Sequence, residues 1–242
     1  MRSLLFVPGD SPRGLDVGRQ SGADVLILDV ADLVAAGRKD ETRRLVAGFS
    51  GALGDRPILF VRIHKLASSL AEEDLAAVMP AHPTGIVLPE VERGADVALL
   101  SVKLRVHEAE NGIDDGATRI LPVLAGTVGS FFSTGMMAIA SGRICGIGWD
   151  AETLATTIGA QSVRDSAGTY TGAFSLARSA TLLAASTLGV PAIDTLCPMT
   201  QHLEKDCAEA TRDGFTAKFA SHPAQVPIIK NTETRAHTAG LG

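Results

Sequence analysis

The sequence predicts a (β/α)8 barrel formed as a single domain over residues 1–242. Eight short apolar runs recur along the chain, and helical segments fill the intervals between them. The runs lack in–out alternation, as expected of parallel strands buried on both faces. An open doubly wound sheet is the main alternative. The G-x-G-x-x-G fingerprint is missing after the first run, and eight similar units favour closure.

The expected strands are Ser3–Val7, Val25–Asp29, Ile58–Ile63, Gly85–Leu88, Arg119–Leu124, Ile144–Gly148, Ala192–Asp194 and Thr216–Ala220. The first helix follows Ser11-Pro12, a capping serine with proline at the first helical position, and covers Leu15–Ser21. Lys39–Ser50, Leu70–Val78, Gly94–Glu108, Ser130–Ala140, Glu152–Ile158, Ser162–Leu188 and Gln201–Asp213 continue the rhythm. Asp165–Gly172 is polar and contains glycine, so a loop is expected before the long helix.

Composition narrows the function. Hydrophobic residues make up 45% of the chain, which supports a sizeable core. A net charge of −5 with neither sign clustered argues against a nucleic-acid or anionic-membrane surface. No apolar run reaches the roughly 18 residues of a membrane span, and the N-terminus lacks a signal h-region. The three cysteines form no C-x-x-C, consistent with reduced thiols. A cytoplasmic protein is expected. The six histidines show no zinc spacing, and Ser130 is not in a G-x-S-x-G elbow.

In a barrel, catalytic groups gather where strands end at the C-terminal face. Reading those ends gives Asp10, Ser11 and Arg13, then Asp29 and Asp32, Arg62 and His64, Glu90 and Glu92. The fifth strand ends without charge, the sixth with Asp150 and Glu152, the seventh with Asp194, and the eighth with Lys218, Ser221 and His222. The Gly126–Gly129 turn is read as a close-packed loop or as backbone amides facing an anion. Lys218 is a weak candidate for Schiff-base chemistry, which requires a depressed pKa.

Several stretches in order carry a resemblance: "RSLLFVPGDSPRGL", "GADVLILDVADLV", "ILFVRI", "GIVLPEVE", "LPVLAGTVG", "GVPAID" and "GFTAKFASHPAQVP". Together they resemble the citrate lyase β-subunit branch of the HpcH/HpaI aldolase family, from Arg2 to about Pro227. The resemblance implies a barrel enzyme that cleaves or forms a carbon–carbon bond. The substrate would be a hydroxyacyl thioester, on CoA or an acyl carrier, or a hydroxy-keto acid, with release of a keto acid such as oxaloacetate. It also implies Mg2+ and a homo-oligomer, a trimer or hexamer.

Residue by residue, the resemblance implies Arg62 as the substrate-carboxylate ligand, with Asp29 and Asp32 beside it as catalytic acids. Capping and salt bridging is the structural alternative for the two acids. Ser11 and Arg13 in the first loop are implied as substrate-binding positions, and Gly126 is a further candidate from the anion-facing reading of its turn. The chain departs from the pattern at the metal. The family's ligand positions are Ala125 and Thr153 here, and Ala31 stands between the two acids of the second strand. Thr157 replaces a later Asp and Glu90 a Lys. Asp150, Glu152 and Glu90 remain as candidates for a rebuilt site. A shortened C-terminal extension is expected. The alternative to a working lyase is a degenerate member that binds a small carboxylate or serves as a partner subunit.

Overall fold

The computed structural model describes residues 1–51, 57–125, 130–131, 142–198 and 202–239. Eight parallel strands pair in chain order: β1 Ser3–Pro8, β2 Val25–Asp29, β3 Ile58–Arg62, β4 Gly85–Leu88, β5 Arg119–Leu124, β6 Ile147–Trp149, β7 Ala192–Asp194 and β8 Ala217–Ala220. β8 returns to β1 in the register Ser3↔Lys218 to Leu5↔Ala220, so the barrel closes and the open-sheet alternative falls. Around it lie α1 Pro12–Gln20, α2 Lys39–Gly51, α3 Leu70–Val78, α4 Gly94–Asn111, α5 Ala151–Ile158, α6 Gly172–Leu188, α7 Leu203–Asp213 and α8 Gln225–Ala239.

The strands carry two apolar faces. Leu4, Phe6, Ile27, Phe60, Val123 and Phe219 fill the barrel interior, while Leu5, Val7, Leu28 and Val61 pack outward under the helices. The interior aromatics require glycine opposite them. A Cβ on Gly85 would lie 2.4 Å from the Phe60 ring, and one on Gly148 would lie 2.6 Å from the Phe219 ring.

Three elements differ from expectation. The sixth strand starts at Ile147, not Ile144. Ile144 bridges Ile120 alone, and Gly148 then pairs with Val123, so the offset grows from 24 residues to 25. One extra residue is therefore inserted, as in a bulge. The long helix starts at Gly172 and not Ser162, and the loop expected at Asp165–Gly172 precedes it, because Asp165 turns the chain there. Its carboxylate accepts from the amides of Ala167 and Thr169, and Gly168 sits at φ +79°. α8 was not expected at all. Of Ser130–Ala140, Ser130 and Phe131 are helical and the rest lies outside the described residues.

Candidate functional site at the barrel mouth

Interior parity selects the residues of the mouth. Continuing the inward-facing positions of each strand by two residues reaches Pro8, Asp29, Arg62, Pro89, Ala125, Asp150, Thr195 and Ser221. Seven of these eight line a cavity of about 200 Å³ floored by Phe6, Val123 and Phe219. Asp29 lies beneath it, fully buried. Glu90 and Thr153 complete its polar rim.

Arg62 is the cation of this cavity. Its Nη1 donates to Asp29 Oδ2 at 3.1 Å, its Nη2 donates to Asp32, and its guanidinium lies 5.6 Å from the centre of the Phe6 ring. Two acids and an aromatic floor thus fix the fork before any ligand arrives. Asp29 also accepts from the Ala31 amide at 2.6 Å. Burial pushes the Asp29 carboxyl above the ordinary range, and the charge of Arg62 opposes that rise. Asp32 is more than half exposed and reaches Arg62 from the rim. The expected grouping of Arg62, Asp29 and Asp32 therefore exists as one ion-paired unit, with catalytic and structural roles both open to it. Ala31 is buried between the two acids.

The sixth-strand acids separate. Asp150 is the N-cap of α5: its Oδ1 accepts from the amides of Glu152 and Thr153 at 3.0 and 3.2 Å, and its Oδ2 accepts from the Thr153 hydroxyl at 2.9 Å. Glu152 lies on the exposed first turn and lines a neighbouring surface pocket instead of the mouth. Glu90 faces the mouth from a left-handed backbone, φ +50°, and accepts from Lys65 at 3.2 Å. That conformation is uncommon for a residue with a Cβ and costs about 1 kcal/mol or more.

Other strand-end residues leave the mouth. Ser11 caps α1 by accepting from the Gly14 amide at 3.0 Å, and Arg13 is exposed outside the cavity. His64 turns outward, its Nδ1 2.6 Å from the buried Asp74. Gly126 lies outside the described residues. Asp194 and Lys218 have outward parity and are buried between barrel and helices. Lys218 donates to Asp194 at 3.2 Å and to the Thr195 carbonyl at 2.8 Å, and it pairs with Asp206 at 2.9 Å. These acids raise the Lys218 pKa above its ordinary value, although burial opposes them most strongly. Schiff-base chemistry needs the opposite direction. Asp194 also accepts from the Trp149 indole at 2.8 Å, so the indole belongs to this wall network and points away from the barrel interior. Thr195 was missed by reading charges alone; interior parity would have found it.

The donors at the mouth are already engaged or lack a ligating atom for a divalent cation. Ala125 contributes a methyl group, the Thr153 hydroxyl is donated to Asp150, and both Asp150 oxygens serve the helix cap. Among the described residues no three His, Cys, Asp or Glu side chains form a metal-ligand group. The segment 125–142, which follows β5, contains no Asp, Glu, His or Cys. Mg2+ sites built on protein use one or two available carboxylates, and these residues do not fit that demand.

The family model of HpcH/HpaI aldolase/citrate lyase matches residues 2–223. The chain belongs to this family. A citrate lyase subunit beta-like protein of Mycobacterium tuberculosis is 29% identical over 240 residues, covering 96% of this chain and 79% of the relative. Human mitochondrial citramalyl-CoA lyase is 25% identical over 241 residues, covering 95% and 69%. The M. tuberculosis citrate lyase β-subunit complexed with oxaloacetate and magnesium superposes with TM-score 0.82 at 26% identity, covering 96% of both chains. A structure of the M. tuberculosis protein with magnesium, acetoacetate and coenzyme A has TM-score 0.80 at 27% identity, covering 96% and 80%. Family membership and the barrel are thus established.

Proposed function

We propose that the chain is a carbon–carbon lyase that splits a hydroxyacyl thioester or hydroxy-keto acid, with Arg62 holding the substrate carboxylate. The observation that carries this reading is Arg62 itself: a guanidinium lining a cavity with an apolar floor, fixed by Asp29 and Asp32. The relatives named as lyases, and the oxaloacetate and coenzyme A bound in neighbouring structures, support the substrate class. A cavity of about 200 Å³ suits a head group of a few heavy atoms, since drug-sized ligands occupy roughly 300–1,000 Å³.

In such a cleavage the substrate hydroxyl proton leaves to a base as that carbon becomes a carbonyl. The broken bond's electron pair becomes an enolate, which is then protonated. Asp32, at the rim and joined to Arg62, is the proposed proton acceptor. Arg62 would face the enolate's negative charge. No step is assigned to a metal, because the donor set does not fit one.

A second reading is favoured by Ala125 and Thr153 at the mouth: a member that keeps carboxylate binding without turnover, as a binding protein or partner subunit. A panel of hydroxyacyl thioesters incubated with purified protein separates the two. Keto-acid release that disappears in Arg62→Ala supports the lyase. Binding without release in the unmodified chain supports the second reading. Unchanged calorimetric binding in Arg62→Ala makes Arg62 structural and removes both.

A further inference from the structure

We infer that the mouth selects a keto acid with one carboxylate and an apolar body, and binds it without a divalent cation. This rests on the reading that Arg62 receives a carboxylate, and it specifies what surrounds that carboxylate. Three observations lead to it.

The first is the charge of the lining. Among the described residues that bound the cavity Arg62 is the one cation, while Glu90 and Asp150 bound it as acids. Arg62 is also shared with Asp29 and Asp32. One substrate carboxylate can share the guanidinium fork. A second carboxylate on the same small molecule would meet Glu90 or Asp150 with no second cation in the lining to balance it. Like charges a few ångströms apart in a partly desolvated site repel by on the order of kilocalories per mole.

The second is the remaining surface. Phe6, Leu33, Val123, Leu196 and Phe219 supply aromatic and aliphatic walls. A carboxymethyl arm gains nothing against them, whereas an alkyl group gains about 0.8 kcal/mol for each buried methylene.

The third is the fate of the acids that could hold a cation. Asp150 is used by the α5 amides and the Thr153 hydroxyl, and Glu90 holds the Lys65 ammonium at 3.2 Å, a charge that opposes a second cation on the same carboxylate. The segment after β5 has no acid in any arrangement of its chain. A cation bridging protein and keto acid would need an available carboxylate from this lining. The recognition therefore falls to Arg62 and the apolar walls. The left-handed backbone at Glu90 aims its carboxylate at the cavity rim, which suits a group that excludes a second anion.

The experiment titrates the full chain by calorimetry with α-ketoisovalerate and with oxaloacetate, each in excess Mg2+ and in EDTA. Expected are a Kd for α-ketoisovalerate that agrees within about twofold in the two buffers, and oxaloacetate weaker by about tenfold or more. Glu90→Gln should narrow that gap by about threefold or more, through tighter oxaloacetate. Binding of either acid only with Mg2+ overturns the inference and leaves Arg62 as a carboxylate site. Oxaloacetate equal to or tighter than α-ketoisovalerate in EDTA also overturns the inference alone. No binding of either acid in either buffer overturns both the inference and the reading it rests on.

Discussion

Replacing Glu108 with glutamine should remove about 3 kcal/mol at neutral pH, and the loss should fade in acid. Glu108 sits on α4 and is 1% exposed. Its carboxylate accepts from both Arg143 terminal nitrogens, at 2.6 and 2.7 Å, and from the amides of Gly116 and Thr118 at 3.0 and 2.8 Å. Burial acts to raise its pKa, but these donors outweigh it and hold the value at about 2. Measured from an unfolded value near 4.3, at about 1.4 kcal/mol for each pH unit, the ionised group contributes about 3 kcal/mol. Breaking a buried pair from one side costs roughly 3–5 kcal/mol by an independent route, so the two magnitudes agree. Glutamine keeps one acceptor and turns an NH2 toward the donors that remain. Because the folded pKa is depressed, the contribution is fully present above about pH 4 and is lost as pH falls toward 2. Urea unfolding of both proteins between pH 7 and pH 2 measures it. A difference below about 1 kcal/mol at pH 7, or one that stays constant down to pH 2, would refute the reasoning.

Lys218→Met strands the fully buried Asp194 beside Asp206. It should cost about 3–5 kcal/mol, a fall in Tm on the order of 10 °C for a chain of this size, read by calorimetry. A fall below about 3 °C would mean that Arg178 and the Trp149 indole alone satisfy Asp194. Asp150→Ala should lose about 1 kcal/mol in urea unfolding, and Asp150→Ser should recover most of it because serine also caps. If serine recovers nothing, the capping role assigned to Asp150 is wrong.

The barrel was legible because its strands are buried on both faces and read as uninterrupted apolar runs. Val25–Asp29, Gly85–Leu88, Arg119–Leu124 and Ala192–Asp194 fall where expected. Where a glycine relaxes the pairing, as between Ile144 and Ile147, an apolar run does not reveal which residue is skipped. At the site, Arg62, Asp29 and Asp32 were readable because β2 and β3 end in charge after apolar residues, and paired register sets Asp29 beside Arg62. Asp194 and Lys218 misled through parity: Asp194 ends β7 and Lys218 is the second residue of β8, and both point outward. Only interior packing fixes parity, and residues such as Phe60 and Phe219 betray it by their glycine partners. Capping was equally hidden. Asp150 reads as a mouth acid until the amides of Glu152 and Thr153 take its oxygen.

The placement of charge has a consequence for how this family member can change. In the wall, Asp194, Lys218, Arg178 and Asp206 pair in a dry layer, where removing one partner is expensive. At the mouth, Glu90 with Lys65, and Asp150 with the α5 amides, are pairs open to solvent on at least one side. Exposed pairs contribute only about 0–1 kcal/mol, so substitution there alters recognition at small cost to the fold. Arg62 stands between these regimes, one fork nitrogen on buried Asp29 and the other on exposed Asp32. Its position is therefore set by the barrel, while its neighbours on the rim can vary. That division explains how the same scaffold can keep Arg62 at the end of β3 while Ala125 and Thr153 stand at the ends of β5 and β6.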